Sequence, residues 1–522
     1  MACWLASLTF AGPGQWLSGR TVRGLLWFAG ELVLICIWLL VASRGSGWPL
    51  ATATGILILY HLASWVEAAR CGWRFHKMIL ESSVSRILVM AGLVFVAPLP
   101  AVMAVHKLGQ VWMVREYDIS EGSMAPALVG QHANLACQGC GYRFAVGLPV
   151  YSPDYVVPEQ LLCPMCGNHS FGTGHKTLLS GDRILSSNQL LPERWDLLLF
   201  RSPTDLTTLF LKRVVGFAGE EVEIVDGEIF INSKLVSKPA LAHEEMWLAV
   251  SDTKFRGRNS HRPKVQWRPM GKADGWQADR QGWLFNSDAN SQESLGLVGE
   301  LTDRLLYNLN SLQYIEPEPI HDVRLRVSVS ELHGAGELSL VWEHKGTKVR
   351  ASLQANGQVS LVIFRTGQDQ TSSVETNRLD RDIEANSVLM LIIRDGYAYL
   401  YLGREQLCRV AVGPFEAKIV RGKMPRSCRI RIAASNCQGK IGRIQLDRDV
   451  YYRAVRSESV KIGPRHYYVL GDNSAVSSDS RLGWRIYPGL VGWDEPTMVP
   501  AEFTEGVVTC VYWPLRRIRS FR

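Results

Sequence analysis

Two short segments of the chain contain the side chains of a nucleophile and its base. Ser123 lies in the turn sequence Glu-Gly-Ser-Met-Ala-Pro at 121–126, and Lys212 follows three large apolar residues at 209–211. A serine hydroxyl is a weak nucleophile until a neighbouring base takes its proton. A lysine amine can be that base where burial among apolar side chains lowers its pKa from about 10.4. The two segments therefore predict a serine hydrolase with a Ser/Lys dyad, for which no histidine is needed.

Both segments, together with a third, resemble those of bacterial signal peptidase I. The third segment is Gly-Asp-Asn-Ser-Ala-Val-Ser-Ser-Asp-Ser-Arg at 471–481, which is similar to the GDN…S-x-DSR signature of that family. Further matching segments occur in the family's order at 181–185, 195–200 and 216–220. The resemblance covers well under half of the chain, and it implies a β-rich catalytic domain.

The resemblance also implies a role for each residue of the site. Ser123 is the nucleophile and Lys212 the general base. Ser477 is the hydroxyl that orients the lysine amine, and Asp479 and Arg481 form a pair that supports the loop beneath the dyad. No cofactor is expected for catalysis.

Two parts of this site stay open in the sequence. Glu121 stands where many family members have a serine or glycine near the second oxyanion donor, and Ala127 replaces the family's usual threonine. A carboxylate would repel an oxyanion, so either the specificity differs or Glu121 turns to solvent. Ser474 and Ser478 lie close enough to the orienting serine that a small shift along the segment would change its assignment.

The expected substrate follows from the segment before the nucleophile. If residues 117–122 form an exposed edge strand, an extended peptide can pair with it and place alternate side chains in pockets. Ile119 and Leu211 would line these pockets, and such bulky walls admit only small side chains. Signal peptides end in small residues. The expected partners are therefore precursors of secreted proteins.

Four cysteines indicate a metal site. Cys137 and Cys140 form one Cys-x-x-Cys knuckle, and Cys163 and Cys166 form a second. Two such knuckles supply the four thiolates of a closed, structural zinc site, which has no open position for catalysis. A pair of disulfides is the alternative, since an extracytoplasmic compartment can be oxidising. The favoured interpretation is a zinc-ribbon-like insert at 131–177 that depends on its metal for folding.

Three apolar stretches precede the predicted catalytic segments. They cover about 22–42, 48–66 and 87–105, and each is near the roughly 20 residues that cross a bilayer as a helix. Glu31 and His61 interrupt them and predict a buried contact between helices. Basic residues are concentrated before the first stretch and between the second and third. This distribution predicts a multi-pass protein of the bacterial inner membrane, with a cytoplasmic N-terminus and an outer (periplasmic) catalytic domain in contact with the lipid bilayer.

The long segment at 241–455 interrupts the resemblance. It contains short alternating runs separated by Gly, Asn and Asp at intervals of roughly eight to twelve residues, the pattern of a β-sandwich. Its order of runs is similar to concanavalin-like or laminin-G-like jelly rolls, and its ligand is not indicated. Cys428 and Cys437 are spaced for a disulfide across a hairpin, with Cys408 as the other partner.

The length and net charge of the chain bear on the number of domains and on the class of partner. The 522 residues are too many for one ordinary core, and the net charge of +8 is spread along the chain, which does not favour nucleic acid as a partner. The expected fold is mostly β, and the predicted domains are three transmembrane helices within 1–110, a catalytic domain at 111–130, 178–240 and 456–522, a zinc-ribbon-like insert at 131–177, and a β-sandwich insert at 241–455.

The predicted function is a membrane-bound serine endopeptidase that removes signal peptides. The alternative is a catalytically inactive, membrane-anchored binding protein that acts through the β-sandwich. Glu121 and the size of the insert favour the alternative, whereas Ser123, Lys212 and Asp479 together favour the enzyme. A self-cleaving repressor-type Ser/Lys protease is disfavoured by the three apolar stretches.

Overall fold

The computed structural model describes most of the chain. The described residues are 11, 15, 20–43, 47–74, 114–147, 163, 165–168, 178–203, 206–255, 265–271, 275–279, 282–308, 316–365, 373–379, 383–413, 428–455, 458–482 and 498–522.

Most of the secondary structure in these residues is β. The helices are α1 (Thr21–Ser43), α2 (Gly47–Arg74) and α3 (Ala240–Met246). The strands are β1 (Val114–Asp118), β2 (His132–Ala136), β3 (Arg143–Gly147), β4 (Leu178–Leu179), β5 (Arg183–Ser187), β6 (Leu197–Arg201), β7 (Leu209–Phe217), β8 (Glu221–Val225), β9 (Glu228–Ile231), β10 (Lys234–Leu235), β11 (Leu248–Asp252), β12 (Gln266–Met270), β13 (Trp276–Asp279), β14 (Gly282–Val298), β15 (Val323–His344), β16 (Thr347–Gln354), β17 (Gln358–Arg365), β18 (Ser373–Arg378), β19 (Ser387–Arg394), β20 (Tyr397–Leu402), β21 (Glu405–Ala411), β22 (Arg429–Arg448), β23 (Val460–Lys461), β24 (His466–Leu470), β25 (Val499–Pro500), β26 (Thr504–Trp513) and β27 (Arg519–Ser520).

The chain forms two compact units. Unit 1 comprises Met1–Asp118, Asp182–Val214 and Glu502–Arg522, and unit 2 comprises Ile119–Gly181 and Val215–Ala501. The predominance of β-structure in several sheets agrees with the sequence prediction. The four predicted domain ranges stay a prediction.

Unit 1 contains an antiparallel sheet with the strand order β1-β5-β26-β6-β7. Its strands are rich in branched and aromatic residues, which suit a pleated surface with a buried face. Ile184, Leu198, Phe200 and Val507 are each fully buried in it. Residues 197–201 of β6 pair with 209–213 of β7 in reverse order, so that Leu198 lies opposite Lys212.

The two helices of unit 1 meet through polar side chains as well as apolar ones. Glu31 of α1 lies 2.7 Å (Oε1) from Nδ1 of His61 of α2, and the carboxylate is buried. The Trp27 indole donates a hydrogen bond to Glu67. The predicted buried contact between Glu31 and His61 is therefore present.

The prediction of three transmembrane helices is wrong. Within the described residues, no helix combines the length and the apolar character needed to cross a membrane. Glu31 lies within α1, and His61 and Glu67 lie within α2, so each helix carries polar side chains within its apolar sequence. The stretch at 87–105 lies outside the described residues. The assignment of a multi-pass inner-membrane protein, with its cytoplasmic N-terminus and periplasmic catalytic domain, is wrong for the same reason.

Unit 2 is dominated by one large antiparallel sheet built on the long strands β14, β15 and β22. The first part of β15 (323–329) pairs with β19, and its last part (337–344) pairs with β16. Its register against β22 shifts between Gly334 and Glu337, where Gly334 has a φ of 109°. A bulge of this kind bends a strand and increases its twist. The sheet therefore divides into two arms, β19-β20-β21 and β16-β17-β18.

Both arms contribute to a single apolar core. Leu389 and Leu391 enter it from one arm, and Leu353 and Leu361 enter it from the other. The arms also meet at their ends, where the amide of Asn377 donates a hydrogen bond to the carbonyl oxygen of Leu407 at 3.1 Å. The shared core explains why the alternating sequence pattern is strong in both arms.

The three cysteines of this region are not disulfide-bonded. Cys408, Cys428 and Cys437 are all buried free thiols. The disulfide considered between Cys428 and Cys437 is therefore absent. Free cysteine often packs as a small apolar residue, and all three belong to the common core.

A buried ion cluster connects α3 to the large sheet. Lys238 Nζ lies 3.0 Å from Asp395 Oδ1 and 2.9 Å from Asp449 Oδ2, and the three side chains are almost completely buried. His243 of α3 contacts Asp395 Oδ2 through Nε2 at 2.7 Å. Burial alone would lower the pKa of Lys238, but the two carboxylates raise it well above its usual value. The ammonium is thus held in the charged form.

Removal of this charge should destabilise unit 2 strongly. Lys238→Met leaves two buried carboxylates without their cation, a change that costs about 3–5 kcal/mol in comparable buried pairs. Urea unfolding followed by circular dichroism measures the loss. The control is Lys348→Met, because Lys348 lies 3.8 Å from Glu343 and both side chains are partly exposed. Its loss should stay below about 1 kcal/mol. Equal losses in the two variants would contradict the expectation.

Candidate functional site

The turn that carries Ser123 lies on the surface of unit 2 and is anchored by its apolar neighbours. Met124 and Ala125 are buried, and Ser123 itself is half-buried. Glu121 is exposed to solvent. The N–H of Ala125 donates a hydrogen bond to the carbonyl oxygen of Gly122 at 3.1 Å, which closes the turn around the serine.

The segment 471–481 contacts this turn through Asn473. The side-chain amide of Asn473 donates a hydrogen bond to the carbonyl oxygen of Gly122 at 2.8 Å. The backbone N–H of Asn473 donates to the carbonyl oxygen of Ser123 at 3.0 Å. Two carbonyl groups on either side of the nucleophile are therefore fixed by one residue. The sequence resemblance placed the two segments in one site, and the structure brings them into contact.

Ser477 lies immediately behind the turn and is fully buried. A Cβ atom on Gly471 would stand 2.0 Å from Ser477 Oγ and 2.7 Å from the carbonyl oxygen of Ser123, so only glycine fits there. Ser474 is engaged elsewhere, because its Oγ accepts a hydrogen bond from Arg481 Nη1 at 2.6 Å. Ser477 is thus better placed beside the nucleophile turn than Ser474 is.

A buried ion pair fixes the lower part of the segment. Arg481 donates from Nε and Nη2 to the two carboxylate oxygens of Asp479 at 2.8 and 2.7 Å. Asp479 also accepts the N–H of Gly471 at 3.0 Å. Burial would lower the pKa of Arg481, but the carboxylate of Asp479 raises it. Two-point pairs of this kind fix geometry as well as charge.

Sequence reasoning missed two residues of this site. Asn308 and Asn473 exchange side-chain hydrogen bonds at 2.5 and 2.6 Å. Tyr307 packs on the turn so closely that a Cβ on Gly122 would stand 2.1 Å from its ring. Both belong to the segment predicted as part of the β-sandwich insert. No local pattern marks them, because their role arises only from the contact with the turn.

Lys212 lies in unit 1, on β7, and is 1% exposed. Its Nζ stands 5.4 Å from the centre of the Phe210 ring, and its neighbour Leu211 is also buried. Opposite it in the sheet lies Leu198, which is completely buried. The predicted burial of this lysine is therefore present.

The structure places the predicted site residues in both units. Ser123, Ser477, Asp479 and Arg481 belong to unit 2 and form one connected group, and Ile119 lies half-buried just before the turn. Lys212 and Leu211 belong to unit 1. The dyad of Ser123 with Lys212, and the substrate pocket of Ile119 with Leu211, stay predictions.

The four cysteines of the two knuckles come together in unit 2. Cys137 Sγ lies 3.5 Å from Cys166 Sγ, and Cys140 Sγ lies 3.6 Å from Cys163 Sγ. All four sulfur atoms lie within 4.8 Å of one another. A disulfide requires about 2.05 Å, so the alternative of paired disulfides does not apply. Tetrahedral coordination at a zinc–sulfur distance of about 2.3 Å places sulfur atoms about 3.8 Å apart, close to the observed separations.

The backbone of the two knuckles is arranged alike. The N–H of Gly141 donates to the carbonyl oxygen of Cys137, and the N–H of Gly167 donates to that of Cys163, each at 2.8 Å. Both glycines have positive φ, 76° and 70°, a backbone conformation that residues with a side chain rarely adopt. Each knuckle is therefore folded to direct two sulfur atoms at one point.

The pKa values of the cluster thiols shift in different directions. Burial raises the pKa of Cys140 to about 12 and raises the pKa of Cys163 as well. Burial also opposes ionisation of Cys137, but hydrogen bonds from the backbone at Cys140 and Gly139 lower its pKa. A metal ion would ionise all four, because thiolate is the form that binds.

The comparison with protein families agrees with part of this description. The family model described as "Signal peptidase, peptidase S26" matches residues 169–273, which include Lys212. Signal peptidase I of Rickettsia typhi and that of Rickettsia prowazekii are each 36% identical to this chain over 47 residues, 9% of this chain. The matched part spans 18% of the length of these relatives. These matches support a segment of the signal peptidase type in this chain.

Solved structures show only weak similarity. The carbohydrate-binding module CBM66 from Bacillus subtilis is 10% identical with a TM-score of 0.24, and the match covers 35% of this chain and 95% of the module. The Caenorhabditis elegans galectin LEC-6 is 8% identical with a TM-score of 0.18, over 24% of this chain and 83% of the galectin. Similarity at this level assigns no fold.

Asn473 should control the order of the nucleophile turn. Asn473→Asp replaces the side-chain amide with a carboxylate. The Gly122 carbonyl oxygen and Asn308 Oδ1 then lose their N–H donor. The loss of such a partner costs about 1–3 kcal/mol. Hydrogen exchange measured by mass spectrometry should show faster exchange at 119–130. The matched control is Asn356→Asp, since exposed Asn356 acts only as an acceptor, from the N–H of Gln358. Unchanged exchange at the turn would contradict this role.

Proposed function

We propose that this protein is a serine endopeptidase of the signal peptidase type that uses a Ser123/Lys212 dyad. The observation that carries the proposal is the nucleophile turn itself, which is fixed at the Gly122 and Ser123 carbonyls by Asn473 of the 471–481 segment. The burial of Lys212 supports the proposal as well, because a buried lysine suits the role of general base. The family match over 169–273 includes Lys212 and supports this part of the proposal.

The chemistry assigned to each residue follows from its surroundings. Lys212, kept from water, would hold a neutral amine and accept the proton of Ser123. Ser477 would direct that amine through its hydroxyl, while Asp479 and Arg481 keep the segment behind it rigid. The serine oxygen then attacks the peptide carbonyl, and the protonated amine returns its proton to the leaving nitrogen.

The oxyanion needs donors that are already in position. The N–H of Ser123 is the first donor of the proposal. Glu121 is exposed, so water and salt screen its carboxylate, and its charge is compatible with an oxyanion in the proposed site. A second donor is not assigned.

The proposed substrates are precursors of secreted proteins with small residues before the cleaved bond. Ile119 and Leu211 are the bulky side chains that we assign to the pocket walls. Partly buried Ile119 precedes the turn directly, so an extended peptide could run alongside 117–122.

We further propose that Cys137, Cys140, Cys163 and Cys166 hold a structural zinc ion. Four sulfur atoms within 4.8 Å leave no open coordination position, so the ion would take no part in catalysis. It would stabilise the ribbon-like segment at 131–177, whose described core is small. The segments 111–130, 178–240 and 456–522 form the catalytic domain of this proposal, with 241–455 as a β-sandwich insert.

The dyad predicts a specific pattern of mutant activities. Ser123→Ala and Lys212→Ala should each abolish cleavage of a precursor with an alanine-rich site, because the two residues act as a unit. Lys212→Arg should also fail, since a guanidinium is not deprotonated in a protein. Ser477→Ala should retain some activity, because only an orienting hydrogen bond is lost. Gel-based processing assays with purified full-length protein measure all four.

The control for these variants is Lys461→Ala, which removes an exposed strand lysine of unit 2 and should leave cleavage unchanged. Normal cleavage by Lys212→Arg would disprove the dyad. Wild-type protein inert toward every such precursor would favour the alternative of an inactive binding protein.

The zinc site predicts a change in metal content. Cys163→Ser should lower the zinc content by one ion per chain and should increase proteolysis within 131–177, because the metal supplies folding free energy there. Elemental analysis of purified protein and limited proteolysis give the two readouts. The control is Cys408→Ser, a buried thiol outside the cluster. Equal metal content in Cys163→Ser and wild type would contradict the assignment.

A further inference from the structure

A second group of potential metal ligands lies away from both sites described above. Glu228 on β9, His321 and Asp322 offer ligand atoms that lie within 4.8 Å of one another. His321 Nε2 stands 3.6 Å from Asp322 Oδ1 and 4.0 Å from Glu228 Oε1. These separations are slightly longer than a hydrogen bond, and an ion about 2.0–2.2 Å from each ligand atom would fit between them.

The group is buried and consists of two carboxyl groups and one imidazole. His321 is 2% exposed and Asp322 is 6% exposed, and the Glu228 side chain is 13% exposed. Among the described residues, no lysine or arginine forms an ion pair with Glu228 or Asp322. The nearest buried ammonium, Lys238, is taken by Asp395 and Asp449. A metal ion would be a partner for both carboxyl groups at once.

One ligand oxygen lacks a hydrogen bond. Asp322 Oδ2 accepts the N–H of Asp395 at 3.1 Å. Asp322 Oδ1 is buried and accepts no hydrogen bond from the described part of the chain. This oxygen is the one that faces His321 Nε2. A buried acceptor of this kind ordinarily has a partner.

A small cavity adjoins the same residues. It is lined by Asp226, Glu228, His321, Phe230 and Leu235, and its size suits a single water molecule or ion. Unit 2 thus has three converging ligand side chains, and two of them, Glu228 and His321, line a small cavity.

We propose that Glu228, His321 and Asp322 bind one divalent transition-metal ion. One imidazole nitrogen and two carboxylate oxygens suit zinc or a similar ion better than calcium, which prefers six to eight oxygen ligands. The ion would connect the β8-β9 hairpin to the start of β15. Its role is structural, because it stabilises the junction between two sheets of unit 2.

The ion belongs on the Nε2 side of the His321 ring. On the other side, Nδ1 stands 3.9 Å from Asp226 Oδ2, and that oxygen already pairs with Lys345 Nζ at 2.6 Å. The His321 ring also stacks on His344 with 5.0 Å between ring centres, which fixes its orientation. A third candidate group, His243 with Asp395 and Asp449, is excluded because Lys238 pairs with both of its carboxylates.

The test compares metal content in full-length protein after incubation with zinc and removal of the excess. Wild type should retain two ions per chain, one in the cysteine cluster and one here. Asp322→Asn should retain one, and so should Glu228→Gln, an independent variant of the less buried ligand. Cys163→Ser should also retain one, and Cys163→Ser with Asp322→Asn should retain none.

The matched control is Asp226→Asn, on the opposite side of the ring, which should keep both ions. Substitution with cobalt separates the two sites, because thiolate ligands give an intense charge-transfer absorption that Asp322→Asn should leave intact. Wild type that retains only the thiolate-bound ion would overturn the proposal. So would full retention by both Asp322→Asn and Glu228→Gln, or loss of the ion in Asp226→Asn alone.

Discussion

The buried ion pair of Asp479 with Arg481 fixes the segment 471–481, which in turn contacts the Ser123 turn. Arg481 holds the carboxylate at two points and also binds Ser474, while Asp479 holds the N–H of Gly471. These bonds fix the segment from which Asn473 reaches the carbonyls of Gly122 and Ser123. A buried pair of this kind is costly to form and more costly to break. The position of the Ser123 turn therefore depends on a buried pair of charges beneath it.

The same turn is also held from a second direction. Tyr307 packs against Gly122, and Asn308 pairs with Asn473, so a segment far away in the sequence contributes to the geometry of Ser123. Both residues lie within the long β-rich segment at 241–455, which therefore contributes to the support of the Ser123 turn.

Unit 2 repeatedly places charge in its interior and balances it locally. Lys238 is balanced by Asp395 and Asp449, and Arg453 by Asp303 at 2.6 Å. Among the described ion pairs, Glu228 and Asp322 pair with His321 and with no lysine or arginine. The cysteine cluster likewise brings four thiols together. At both places the side chains converge as metal ligands do, which is the basis of the two proposed metal sites.

The sequence by itself determined the local features of this protein. Alternating runs predicted the β-rich units, the paired Cys-x-x-Cys knuckles predicted four converging sulfur atoms, and the 471–481 segment predicted a partner for the Ser123 turn. These features are short-range patterns, which a chain encodes directly. Apolar stretches misled at 22–42 and 48–66, because hydropathy counts side chains one at a time and ignores the polar contact of Glu31 with His61.

Only the tertiary structure decided which distant residues meet. Asn308 contacts Asn473 across 165 positions of sequence, and His321, just before β15, lies 4.0 Å (Nε2) from Glu228 Oε1 of β9. The solvent exposure of Glu121 and the free thiols of Cys428 and Cys437 were likewise fixed by packing. Such contacts depend on the path of the whole chain, since hydrogen bonds and charges act over a few ångströms in space and not along the sequence.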